Sequence, residues 1–207
     1  MTISSTIERC PFPGSQTHRS LHTACLGEMH ARRLYLHAGR QMEEAHLHVI
    51  AHAFTFTAAQ EKEHAEVFRG LIRAYGGDPA PLTEDAPLLL PHDPADILRA
   101  VIQTEEDESR TLYPFYARTA LEEGYPRIAE TFRRIGETEQ LHARRFAQYL
   151  EALTSGTLFR DAERISWVCL HCGQLHLGFE PPEHCQVCTG HRGHFIRSNY
   201  YPFSVEG

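Results

Sequence analysis

The fold is decided by the stretch Phe54-Thr-Phe-Thr-Ala-Ala-Gln-Glu61-Lys-Glu-His64-Ala65 and by its second copy, Phe132-Arg-Arg-Ile-Gly-Glu-Thr-Glu139-Gln-Leu-His142-Ala143. The two copies present Phe, Glu and His at the same spacing and lie 78 residues apart. A Glu and a His three residues apart on a helix share one face, so each copy can direct a carboxylate and an imidazole to one point. Two such points facing each other predict a site for two metal ions.

A single Glu-x-x-His is most often part of a solvated helix surface. Here each pair belongs to a repeated apolar frame, which starts at Ile50-Ala51 and at Ile128-Ala129 and turns this face inward. Buried carboxylates without a cation would repel one another and lose their charge. The sequence therefore favours bound metal over a wet helix surface.

The composition is that of an ordinary globular protein with a small appendage, since 42% of the 207 residues are hydrophobic and 23% are charged. The net charge of -7 lacks the basic footprint of nucleic-acid binding. The first twenty residues contain no apolar signal-peptide core, and no run is long enough to span a bilayer. We therefore expect a cytoplasmic protein that binds neither nucleic acid nor membrane.

Apolar periodicity predicts four long helices, the first of which begins near Ser20 and carries Glu28 on its apolar stripe. The other three are predicted over residues 45–75, 94–123 and 125–154. Pro114 lies inside the third of the four helices and predicts a kink or a local break there.

The connection between Gly76 and Pro94 contains repeated prolines that break any periodicity. A connection of this length suits a crossover running along a bundle, which is the ferritin-like arrangement. The fold class predicted is thus an all-α ferritin-like four-helix bundle with a small C-terminal metal-binding domain. The predicted boundaries are an irregular N-terminal arm over 1–16, the bundle over 17–154, a linker over 155–165 and the C-terminal domain over 166–207.

The third helix contains four consecutive acids, Glu105 to Glu108, which by themselves resemble a charge run on a wet face. Glu28 precedes Glu61 by 33 residues and Glu105 precedes Glu139 by 34, so Glu105 is the counterpart of Glu28. Glu108 lies one turn further on the same face and would be a fifth carboxylate. Two helices that each give a Glu, with two that each give Glu-x-x-His, predict a carboxylate-bridged centre of iron or manganese.

Four of the six cysteines form the pattern Cys169-x-x-Cys172 and Cys185-x-x-Cys188, which predicts a tetrathiolate metal site rather than a disulfide framework. Zinc and iron both accept four thiolates. Gly173 after the first knuckle and Trp167 beside it favour iron, and a structural zinc ribbon remains the alternative. Cys10 and Cys25 receive no functional assignment, because the first lies in the arm and the second is expected to be a small buried residue.

These motifs, in this order and spacing, resemble those of the rubrerythrins, in which a ferritin-like dimetal domain precedes a rubredoxin-like domain. The resemblance covers residues 17–196. Two positions depart from the family pattern, since Gln186 replaces the usual proline of the second knuckle and Ala45-His46-Leu47 replaces a glycine turn. The matching segments are Gly27-Glu28-x-x-Ala31-Arg32-x-x-Tyr35, Thr57-Ala58-x-x-Glu61-x-x-His64-Ala65, Glu105-x-x-Glu108 with Tyr113-Pro114, and Ile135-x-x-x-Glu139-x-x-His142.

The resemblance implies a role for each site residue. Glu61 and Glu139 would bridge two irons. Glu105 and His142 would hold one iron, and Glu28 would hold the other. That second iron would exchange Glu108 for His64 as it passes from the oxidised to the reduced state. Tyr35 and Tyr113 would donate hydrogen bonds that orient ligating carboxylates.

The resemblance also implies a peroxidase of oxidative-stress defence that reduces hydrogen peroxide to water. An iron held by Cys169, Cys172, Cys185 and Cys188 would relay electrons from a separate NAD(P)H-dependent reductase or a rubredoxin, and the protein would be a homodimer or a higher homo-oligomer. Two alternatives stay open. One is a ferroxidase or iron-binding protein of the ferritin type, and the other is a binding module with a structural zinc tail.

Overall fold

The structure, a computed structural model, describes residues 11–79, 81 and 88–200. Most of the predicted arm with Cys10, residues 80 and 82–87 of the connection, and the last seven residues of the C-terminal domain lie outside the described residues. The four-helix bundle is confirmed, and none of its described helices has an apolar stretch long enough to cross a membrane. The helices are α1 (Gln16–Glu44), α2 (His48–Ala74), α3 (Pro94–Asp107), α4 (Tyr113–Glu122) and α5 (Pro126–Thr154).

Helix α1 starts four residues before Ser20, because Ser15 caps it by accepting a hydrogen bond from the His18 N–H at 3.0 Å. It ends in a three-residue turn, so α2 begins at His48 rather than at the predicted Ala45. The turn has the Schellman pattern, in which the Leu47 N–H bonds to the Met42 carbonyl at 2.8 Å. His46 occupies the left-handed position with φ of 57°, where a glycine is usual.

The third helix of the bundle is interrupted as Pro114 suggests, and the interruption is a π-helical turn, Glu108–Leu112, between α3 and α4. A π turn accommodates one extra residue in an otherwise regular helix. The two halves of the chain differ by one residue here, since seven residues separate Glu28 from Tyr35 and eight separate Glu105 from Tyr113. The π turn absorbs that residue and keeps the two ends of the helix facing inward.

The core of the bundle consists of two apolar clusters with a polar layer between them. One cluster is centred on Phe68 and Phe132, and the other on Phe54 and Phe146. Along each long helix the acidic residues fall between members of the two clusters. The polar layer is therefore closed off by apolar side chains on both sides.

The C-terminal domain is a three-stranded antiparallel sheet in the order β2-β1-β3, formed by Ile165–Cys169 (β1), Leu175–Gly178 (β2) and Phe195–Arg197 (β3). Trp167 is fully buried in it and donates its indole N–H to the Gly178 carbonyl at 3.0 Å. Val168 and Ile196 pack into the apolar cluster around Phe54, so the domain shares a core with the bundle.

A close backbone approach joins this domain to the α1–α2 turn. A Cβ atom at Gly193 would collide with the carbonyl of His46. Only glycine fits at this position while the domain is docked.

Candidate metal centres

The structure brings six of the seven acidic and histidine residues predicted for the bundle into one buried layer. Helices α2 and α5 each contribute Glu and His three residues apart, while α1 and α3 each contribute one Glu. The ligand atoms form two groups, and within each group they lie within 4.8 Å of one another. The groups are Glu28, Glu61, His64 and Glu139, and Glu61, Glu105, Glu139 and His142.

Glu61 and Glu139 belong to both groups, and each extends one oxygen towards each histidine. The Nδ1 atom of His64 is 3.1 Å from Glu61 Oε2 and 3.0 Å from Glu139 Oε1. The Nδ1 atom of His142 is 3.0 Å from Glu61 Oε1 and 2.7 Å from Glu139 Oε2. Two carboxylates that span two imidazoles in this way are placed to bridge a pair of cations.

Glu28 and Glu105 each belong to one group only. Glu28 Oε2 is 3.5 Å from the Nδ1 atom of His64, and Glu105 Oε2 is 3.6 Å from that of His142. Each of these carboxylates also accepts a hydrogen bond from a buried tyrosine, Glu28 from Tyr113 and Glu105 from Tyr35 at 2.5 Å. The two predicted tyrosines therefore contact the outer carboxylates.

The donor set fits a pair of metal ions. Buried polar atoms without hydrogen bonds are costly, and here they converge on two points. Oxygen-rich groups with one imidazole each suit iron or manganese better than a closed zinc site. The buried atoms that lack a well-directed hydrogen bond in the described structure are Glu61 Oε1, Glu105 Oε2, both oxygens of Glu139 and Nδ1 of His142.

The electrostatics show the same demand for positive charge. Burial would lower the pKa of His64, but the carboxylates of Glu139, Glu28 and Glu61 raise it to about 12. Burial would likewise raise the pKa of Glu61, but hydrogen bonds from the two histidines hold it at about 2. Burial raises the pKa of Glu105 to about 7. The layer thus retains protons on its imidazoles until another cation replaces them.

Glu108 is the predicted site residue that the structure leaves outside both groups. It is half-buried at the start of the π turn, and burial followed by the charges of Glu28 and Glu105 raises its pKa to about 9. In this arrangement His64 is turned into the centre and Glu108 lies beside it.

The four cysteine sulfurs of the C-terminal domain also lie within 4.8 Å of one another. The Sγ atoms of Cys169 and Cys188 are 3.8 Å apart, and those of Cys172 and Cys185 are 3.6 Å apart. A tetrahedral site with metal–sulfur bonds of about 2.3 Å requires sulfur separations of about 3.8 Å. Backbone N–H groups of Cys188 and Val187 help to lower the pKa of Cys185 to about 6, which favours the ligating thiolate.

Sequence reasoning missed two residues that contact the outer nitrogen of His142 or its partner. Gln60 accepts a hydrogen bond at 3.1 Å from the Nε2 atom of His142, and Arg145 donates to Gln60 at 3.3 Å. The available signal was their position, since Gln60 precedes Glu61 directly and Arg145 lies three residues after His142.

Comparisons with known proteins agree with this geometry. The family model described as rubrerythrin matches residues 20–150. The chain is 34% identical over 189 residues to the rubrerythrin of Porphyromonas gingivalis, covering 90% of this chain and 93% of that protein. It is 35% identical over 187 residues to a putative rubrerythrin of Methanocaldococcus jannaschii, covering 87% and 91%.

Among solved structures, the fold is similar to nigerythrin in a mixed-valence state, with a TM-score of 0.60 and 24% identity over 95% of this chain and 97% of that one. This likeness includes the C-terminal domain as well as the bundle. The similarity to curated relatives, the matching family model and the paired acidic groups all lead to one assignment. The chain belongs to the rubrerythrin family.

Proposed function

We propose that the protein is a non-haem diiron peroxidase that reduces hydrogen peroxide to water in oxidative-stress defence. The observation that carries the proposal is the pair of shared carboxylates, Glu61 and Glu139, each of which extends one oxygen to His64 and the other to His142. Such a pair holds two metal ions close enough to act together on one small molecule. Membership of the rubrerythrin family supports an oxidoreductase role for this centre.

The proposed ligands follow the two groups. Glu61 and Glu139 bridge both irons, Glu105 and His142 complete one site, and Glu28 completes the other. His64 and Glu108 alternate at the Glu28 site. The structure has His64 in contact with Glu28 at 3.5 Å and Glu108 half-buried nearby, which supports the arrangement with His64 as the ligand.

When bound, the two irons would supply Lewis acidity and the two electrons that split the O–O bond. Two protons are needed as well, so that both oxygens leave as water. Glu108 can hold one at its carboxyl, because burial raises its pKa to about 9. Burial also raises the pKa values of Tyr35 and Tyr113, so both phenols stay protonated and keep donating to Glu105 and Glu28.

We propose that the irons are re-reduced through an iron bound by the four C-terminal cysteines. Iron in such a site changes its redox state, whereas zinc does not. The electrons would come from an NAD(P)H-dependent reductase or a rubredoxin, and the working form would be a homodimer or higher homo-oligomer in the cytoplasm. The described cysteines are all free thiols, which supports a reducing compartment.

Rapid mixing tests the proposal. The iron-loaded protein, reduced without oxygen, is mixed with limiting hydrogen peroxide while the ferric-thiolate absorbance is followed. We expect prompt colour in the wild type and much slower colour in Glu28→Ala. Glu106→Ala is the matched control and should behave as the wild type, because this acid is in the same layer of sequence but pairs with Arg110 at 3.0 Å.

The other outcomes separate the alternatives. Equal rates in the wild type and Glu28→Ala would show that the bundle does not mediate the reaction. A protein that never develops the colour has a tail without iron, which would support the zinc-tail alternative. Faster oxidation of the bundle iron by oxygen than by peroxide would support a ferroxidase.

A further inference from the structure

The two histidines of the bundle differ in what holds their outer ring nitrogens. The Nε2 atom of His142 is 3.1 Å from Gln60 Oε1. Gln60 is in turn contacted by Arg145, whose NH1 group is 3.3 Å from Gln60 Oε1 and 2.8 Å from Thr57 Oγ1. Thr57 is fully buried and donates its hydroxyl to the Ala53 carbonyl at 2.9 Å. His142 is therefore tied to α2 through a chain of hydrogen bonds.

The direction of this chain is settled by Arg145. A guanidinium group only donates hydrogen bonds, so the Gln60 atom that faces it must be the amide oxygen. That oxygen can only accept, so the Nε2 atom of His142 must carry a proton and donate it. The Nδ1 atom of His142, which faces Glu61 and Glu139, is then the nitrogen available to a metal ion.

Arg145 is itself well anchored. Its guanidinium lies 5.1 Å from the centre of the Phe56 ring, and its side chain is half-buried. A planar group held by a ring, a hydroxyl and an amide oxygen has little freedom to rotate. Gln60 is thus fixed from the side opposite to His142.

His64 has no equivalent support. The positions that correspond to Gln60 and Arg145 in the other half, 78 residues away, are Thr138 and Val67. The Thr138 hydroxyl bonds to the carbonyl of Arg134 at 3.2 Å, and Val67 is apolar. In the part of the chain that the structure describes, no group hydrogen bonds to Nε2 of His64, and this side chain is 13% exposed while that of His142 is fully buried.

We propose that Gln60, oriented by Arg145, is a positioning residue that fixes the tautomer and ring of His142 and makes it the permanent imidazole ligand. The pair Thr138 and Val67 leaves His64 free to rotate. This inference rests on the proposed dimetal centre, because it assigns His142 to a metal ion. It adds a cause for the unequal behaviour of the two histidines, which the ligand residues alone do not contain.

The test uses the full-length protein loaded with cobalt(II) and labelled with ¹⁵N in histidine only. Cobalt shifts the N–H resonances of its imidazole ligands out of the main spectrum, so their exchange with water can be measured directly. We expect a slowly exchanging Nε2–H from His142. In Gln60→Ala this N–H should exchange at least about 10-fold faster, and the cobalt dissociation constant of the bundle should rise about 10–100-fold.

Thr138→Ala is the matched control, since it changes the equivalent position in the other half and should leave both quantities unchanged. An unchanged exchange rate in Gln60→Ala, with cobalt bound in the bundle, overturns the inference. If cobalt occupies only the four-cysteine site, visible from its thiolate absorption, the proposed centre fails together with the inference.

Arg145→Met is the second variant, and it decides the matter if Gln60→Ala does not fold. It keeps an unbranched apolar side chain beside Phe56 but removes the group that orients the amide. We expect faster exchange of the same N–H, by a smaller factor than in Gln60→Ala. The wild-type rate in this variant would also overturn the proposal.

Discussion

At the scale of single residues, the two tyrosines of the centre are exchanged between the halves of the chain. Tyr35 donates to Glu105, which lies 70 residues away, and Tyr113 donates to Glu28, which lies 85 residues away. Each phenol therefore orients a carboxylate that belongs to the other half. Both rings are buried to within 1% exposure, so these hydrogen bonds have no competition from water.

Tyr113→Phe should weaken metal binding at the Glu28 site. The substitution keeps the ring and removes the donor that orients the carboxylate, and losing such a contact typically lowers metal affinity by about 10–100-fold. A cobalt or ferrous titration of the metal-free protein measures the change. Tyr116→Phe is the control, since that ring is nearby and packs on Phe132. Equal affinities in the two variants would show that the hydroxyl of Tyr113 has no part in the centre.

At the scale of the elements, α1 is capped from a distant part of the chain. The Glu123 carboxylate, just after α4, accepts hydrogen bonds from the backbone N–H groups of Gln16 at 2.9 Å and Thr17 at 2.7 Å, and from the Thr17 hydroxyl at 2.6 Å. Although burial would raise the pKa of Glu123, these hydrogen bonds lower it. A negative charge at a helix N-terminus is favourable, so this contact stabilises both α1 and its packing on α4.

Glu123→Gln should lower the free energy of unfolding by about 1 kcal/mol at neutral pH, as expected for loss of a helix cap. Because the folded-state pKa lies below the ordinary value of 4.5, the contribution is complete above that value. It is lost as the pH falls through the lowered pKa. Urea unfolding at pH 7 and at pH 3 measures both limits. Glu122→Gln, its exposed neighbour, is the control, and a difference between wild type and Glu123→Gln that persists at pH 3 would contradict the prediction.

At the scale of the whole molecule, the C-terminal domain docks on the bundle through a cluster of histidines. The rings of His48 and His194 stack at 3.8 Å with an interplanar angle of 2°. His46 lies 4.8 Å from His191, whose Nε2 atom is 3.2 Å from Glu183. Glu43 is the acid that acts on His48 from α1. The other imidazoles that face this junction are His52, His171 and His184.

Acid should weaken this docking. Burial and then the charge of His48 lower the pKa of His194 to about 4, so the docked form favours neutral rings. A histidine with a lowered folded-state pKa stabilises the docked form above its ordinary value of 6.5, and that stability is lost as the pH falls towards 4. Small-angle scattering of the iron-loaded protein should therefore show an increase in radius of gyration in this window, while the ferric-thiolate colour reports an intact tail.

Two variants test the cause. His194→Phe keeps a ring in the stack without a charge and should remain docked to lower pH. Gly193→Ala should release the domain at every pH, because its Cβ collides with the His46 carbonyl. If His194→Phe and the wild type separate at the same pH, the histidine stack does not control docking.

The sequence alone determined the features that depend on local spacing. The Glu-x-x-His repeats, the two Cys-x-x-Cys knuckles and the helical periodicity each lie within a few residues, so the helix period or the reach of a tetrahedral metal site predicts them directly. For the same reason the bundle, the converging acids and the four-sulfur cluster agree with what the sequence predicts. Even the extra residue in the third helix was visible as a difference of one in the spacing.

Only the tertiary structure decided the contacts that join distant parts of the chain. The bond from His142 to Gln60 spans 82 residues, the tyrosine exchange spans 70 and 85, and the histidine junction joins α2 to the C-terminal domain. Periodicity states which face of a helix points inward, but it does not state which side chain meets it from the neighbouring helix. That choice depends on how the helices pack, and it determines which histidine is held and which remains free.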